Sequence, residues 1–79
     1  MTTTPKNTLD PSITVNILYK DWPTVQSYLI QNEYVHGEDY SVVRLDRAMT
    51  VIRFFKKALY VDFSNKWEKV IIHIEKDNL

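Results

Sequence analysis

Residues 40–67 read Tyr-Ser-Val-Val-Arg-Leu-Asp-Arg-Ala-Met-Thr-Val-Ile-Arg-Phe-Phe-Lys-Lys-Ala-Leu-Tyr-Val-Asp-Phe-Ser-Asn-Lys-Trp, with neither Gly nor Pro to punctuate them. The stretch admits two readings. As a helix, it places Ala48, Val51, Ile52, Phe55 and Leu59 on one side and Asp46, Thr50, Arg53 and Lys57 on the other. As strands, it offers Met49 to Phe55, a dense run of β-branched and aromatic residues that lose χ1 freedom in a helix and pack well on a pleated surface. The second argument outweighs the first and predicts two strands, about 40–45 and 48–55, joined at Asp46-Arg47. A two-residue hairpin turn prefers Asn-Gly or Asp-Gly at positive φ, and Arg47 fits this poorly. A longer or bulged connection would relieve the misfit.

Downstream of the hairpin, Ala58, Leu59, Phe63 and Trp67 recur at a spacing that predicts a short helix over Lys57 to Trp67, and Val70 to Glu75 then reads as a strand. Upstream, Ile13 to Tyr19 begins with β-branched alternation and predicts a first strand. Asp21 has the chemistry of an N-cap, Pro23 fits a first turn, and Trp22, Val25, Tyr28 and Leu29 follow at helical spacing to about Glu33. His36-Gly37-Glu38-Asp39, with the only Gly of the chain, breaks the chain before the hairpin. Residues 1–11 lack periodicity and read as a frayed arm, leaving 12–79 as a single domain. The expected class is α+β, a small antiparallel sheet with two helices in the order β-α-β-β-α-β, ferredoxin-like. The alternative is β-α followed by a winged, hairpin-rich sheet.

Composition bounds the possibilities further. A chain of 79 residues with 44% hydrophobic residues has material for one small core and no second domain. Cysteine is absent, which removes disulfide frameworks, thiolate catalysis and cysteine-based zinc sites. The first residues lack an apolar stretch of signal-peptide length and no run of ~20 apolar residues occurs, so a soluble cytoplasmic protein without membrane contact is expected. The net charge is zero, yet Arg44, Arg47, Arg53, Lys56 and Lys57 stand against Asp46 alone within residues 40–60. The basic character is local.

In its second half, where a strand rich in Val, Ile and Phe leads into a helix ending Phe63-x-x-x-Trp67, the chain resembles a style of small bacteriophage protein of unassigned function. The scarcity of Gly and abundance of Lys, Asn, Ile and Tyr also look like products of AT-rich phage genomes. The resemblance implies no site residues.

Catalytic chemistry finds little purchase. His36 and His73 are the only histidines, the serines lack a nucleophile elbow, and no Gly-rich phosphate loop exists. His36 with Glu38 and Asp39 reads as a solvated acidic turn rather than a metal site. A non-enzyme without cofactor, metal or small-molecule substrate is therefore expected. The sheet is more informative. With the turn at Asp46-Arg47, Arg44 pairs with Met49, Val42 with Val51 and Tyr40 with Arg53 on one face. Val43, Leu45, Ala48, Ile52 and Phe54 fall on the other, under the helices, with Ile13, Val15, Ile17, Val70, Ile72 and Ile74. The open face then carries Tyr40, Val42, Arg44, Met49, Val51 and Arg53 as a candidate binding set, beside Thr14, Asn16, Leu18, Ile71, His73 and Glu75. Its apolar middle, flanked by arginines and a tyrosine, has the composition of a contact surface for a protein partner or a second copy, and the phage resemblance implies a host protein as that partner. The other reading is nucleic-acid binding through the basic segment 44–57, although the central strand lacks the aromatics of RNA-recognition sheets.

Overall fold

The computed structural model describes residues 13–76, so the arm expected over residues 1–11 lies outside the described residues. Strand β1 (Ile13–Leu18) runs through a 3-10 turn (Tyr19–Asp21) into helix α1 (Trp22–Gln31). A hairpin of β2 (Tyr40–Leu45) and β3 (Met49–Phe54) follows, then helix α2 (Lys57–Lys66) and strand β4 (Ile71–Lys76). The middle of the chain is thus a hairpin, and the β-α-β-β-α-β order is the one the sequence predicts. The four strands form one sheet in the order β2-β3-β1-β4, antiparallel at every pairing. Each helix connects two strands that are separated by one other strand.

Both helices pack on the same side of the sheet. There Ile13, Val15 and Ile17 of β1 and Ile52 and Phe54 of β3 meet Trp22, Val25 and Leu29 of α1 and Tyr60 and Phe63 of α2. Phe54 and Phe63, both fully buried, pack as a tilted pair with ring centroids 4.9 Å apart. Aromatic pairs at such spacing add to the area they bury, which is how so short a chain closes a core.

Three local devices shape the α1–β2 connection. The amides of Glu33 and Tyr34 donate to the carbonyls of Ile30 and Leu29, a Schellman ending with Glu33 at φ +64°, where glycine is the favoured residue. Beyond it, buried Asp39 ties the loop down. Its carboxylate accepts from the Val35 amide at 2.7 Å and from Lys56 Nζ at 2.7 Å, while its carbonyl accepts from the Phe55 amide. The Lys56 ammonium, then the Val35 amide, hold its carboxyl below the usual carboxylate range. Tyr34 closes the same loop against α2 by donating from its hydroxyl to the Leu59 carbonyl at 3.1 Å. Burial raises its phenol pKa well above the ordinary value, and that of Tyr40 in the same direction. At the other end of α1, Asp21 occupies the N-cap position but makes no side-chain cap, because the preceding 3-10 turn already holds it in a helical conformation.

The strand faces differ from the sequence expectation at two bulges, with large consequences. The turn centres on Arg47-Ala48, one residue later than expected, so Arg44 pairs with Val51 rather than Met49 and Leu45 with Thr50, but then Val42 pairs with Ile52 and Tyr40 with Phe54. Val43 is an inserted residue, a bulge. Because side chains alternate with period two, one extra residue carries everything before it to the opposite face. Tyr40 and Val42, expected on the open face, therefore lie on the helix side, where Tyr40 is buried beside Tyr34 and opposite Phe54. Val43 and Leu45, expected in the core, are exposed at the sheet edge, and Ala48 is exposed in the turn. A second bulge, in β4, sets Ile71 opposite buried Ile17 and leaves Ile72 displaced and exposed. Ile71, expected on the open face, is carried to the helix side by it.

Candidate functional site

The open side of the sheet is arranged in rows across the strands. Ser41, Arg53, Thr14 and Glu75 form one row, and Arg44, Val51, Asn16 and His73 the next. Met49 and Leu18 pair in a third. Directly opposed residues of antiparallel strands share a face, so these ten side chains look away from both helices. Four of the six residues expected to bind, Arg44, Met49, Val51 and Arg53, are brought together here. Tyr40 and Val42 are not, because the bulge at Val43 turns them inward.

The centre of the face is apolar and partly shielded: Val51 and Met49 are half-buried and Leu18 is exposed at the end. Asn16 is oriented across the strands, its Nδ2 donating to Met49 Sδ at 3.3 Å. A thioether is a weak acceptor, so much of that amide's hydrogen-bonding capacity is left for another group. Arg53 is exposed in the end row, between Ser41 and Thr14. Arg44 is held in place, its Nε donating to Asp46 Oδ2 at 2.7 Å. The guanidinium of Arg44, together with the Met49 and Ala48 amides, keeps the Asp46 carboxyl below its usual range.

Asp46 is the residue that sequence reasoning undervalued. Its Oδ1 accepts from the amides of Ala48 and Met49, both at 2.9 Å, so the side chain performs the turn that Gly would otherwise make. The signal was present as an Asp immediately before the turn. The loop histidine, in contrast, has a packing role: the His36 ring stands edge-on to Tyr40 with centroids 5.3 Å apart, while neighbouring Asp39 is committed to Val35 and Lys56. Among the described residues, no three metal-ligating side chains converge and no helix is long and apolar enough to cross a membrane.

The basic segment divides on folding. Lys56 pairs with Asp39 behind the hairpin and Arg44 with Asp46 at its tip, while Arg53 lies on the open face. No Tyr, Phe or Trp occupies any of the ten open-face positions. Comparison with known proteins finds no family model that matches the chain, and neither a curated protein nor a solved structure that is similar to it.

Proposed function

We propose that the protein is a small non-catalytic interaction module that binds a protein partner through the open face of its sheet, with Val51 and Met49 at the centre and Arg44 and Arg53 at the rim. The observation that carries the reading is the one-sided cover of the sheet: both helices pack on one side, and the other displays an apolar middle with fixed polar groups around it. Met and Arg are enriched at interfaces, and an apolar centre within a polar rim is their usual anatomy. Arg44 is already ordered by Asp46, so part of the side-chain entropy lost on binding is lost on folding instead.

The nucleic-acid reading is favoured less. Single-stranded nucleic acid needs stacking platforms as well as cations, and most aromatic side chains of this fold are gathered in the core on the helix side. The two readings separate in one experiment. Affinity capture is performed with the wild type, Val51→Glu, Arg53→Glu and, as a surface control, Gln26→Glu on α1. The protein reading requires a discrete partner, lost with Val51→Glu and kept with Gln26→Glu, that binds the purified domain directly. Retention of RNA or DNA in a salt-sensitive manner, abolished by Arg53→Glu, replaces it.

A further inference from the structure

Strand β4 borders the sheet, pairing with β1 on one side and with no described strand on the other. It is also poorly covered. Ile74 points to the helix side, opposite fully buried Val15, yet is 37% exposed, and Ile72 is 49% exposed. Above them, α2 overhangs a cleft of about 450 Å³ lined by Tyr60, Ser64 and Glu68 on its upper wall and by Ile72 and Ile74 below. A cleft on the helix side of an exposed edge has the place of a fifth strand.

We infer that β4 is a self-association edge, taking β4 of a second copy in antiparallel register about a two-fold axis at Ile74. The register follows from the faces and charges. For a two-fold normal to the sheet, paired residues must share a face, which requires centring on a residue rather than between two. Centring on His73 or on Glu75 sets like groups against each other. Centring on Ile74 sets His73 against the second copy's Glu75, twice over, on the open side. On the helix side it sets Ile74 against Ile74 beneath the two α2 overhangs, and Ile72 against the second copy's Lys76. That lysine is then brought beside Glu68 at the cleft rim. Glu75 meets a histidine that can donate to it, Lys76 approaches Glu68, and the two most exposed isoleucines of β4 are covered. The assembly is a continuous eight-stranded sheet, which leaves both copies of the open face accessible. The inference is thus independent of the function proposed above.

The contact is short, placing it among weak interfaces, so sedimentation velocity from about 10 μM to about 1 mM is the suitable measurement. The wild type is expected to shift from monomer to dimer across that range. Ile74→Lys and Glu75→Lys should each weaken dimerisation by at least about tenfold, and adding His73→Glu to Glu75→Lys should recover it by setting a carboxylate opposite the new lysine. Glu75 is exposed, so its variant retains the native circular dichroism and keeps the test decisive even if Ile74→Lys unfolds. A wild type monomeric throughout, or a dimer indifferent to these substitutions, overturns the inference. A dimer lost with Val51→Glu alone assigns association to the open face and overturns it equally.

Discussion

Asp39 ties separate segments at one point: its carboxylate and carbonyl bind Val35, Lys56 and Phe55, joining the β2 entry to the β3 exit. Its folded-state pKa is depressed below the ordinary 3.8, so its contribution is fully present above that value and is lost as pH falls through the lower folded value. Asp39→Asn should therefore cost about 1–2 kcal/mol at neutral pH, with the gap to the wild type closing below pH ~4, as read from urea melts across pH. Glu33 offers the reverse case. A side chain at φ +64° is strained where glycine is not, and its amide already completes the helix end. Glu33→Gly should raise stability by about 0.5–1 kcal/mol in thermal melts, since relief of the left-handed conformation exceeds the added flexibility of the unfolded chain.

Among the elements, the hairpin governs which residues meet a partner. Its turn is held by the Asp46 side chain, and its faces are assigned by the bulge at Val43. Asp46→Ala removes the acceptor for two amides and the anchor of Arg44 together. Amide hydrogen exchange at Ala48 and Met49 should quicken by about tenfold, while Asp46→Asn, which keeps the acceptor, should retain most of the protection. Equal exchange in both variants would mean that the carboxylate charge, rather than its oxygen geometry, holds the turn.

For the molecule as a whole, stability rests on a small set of rings. Phe54 and Phe63 are fully buried and touch each other, and Tyr34 and Tyr60 pack at the edges of Phe54. Truncating either phenylalanine leaves a cavity that so few neighbours cannot fill. Phe54→Ala and Phe63→Ala should each cost ~3–5 kcal/mol by chemical denaturation, most of the stability of a domain this size. Val61→Ala, on the exposed side of α2, should cost less than about 1 kcal/mol. The contrast between them tests whether one core holds both helices to the sheet.

The element order was legible because local chemistry decides it: β-branched and aromatic density marked β3, and helical spacing marked Leu29 and Phe63 for burial. One face of β1 was equally plain, since Ile13, Val15 and Ile17 alternate without interruption. The candidate face was legible for Arg44, Met49, Val51 and Arg53, which lie between the bulge and the strand end. It was not legible for Tyr40 and Val42. A bulge is a property of two paired strands, and nothing in Ser41-Val42-Val43-Arg44 announces that Val43 stands unpaired. It shows only in the packed sheet, where the Tyr40 ring lies among Tyr34, His36 and Phe54. The uncovered flank of β4 has the same origin, because sequence marks its isoleucines as apolar while the placement of α2 determines which of them the helix reaches.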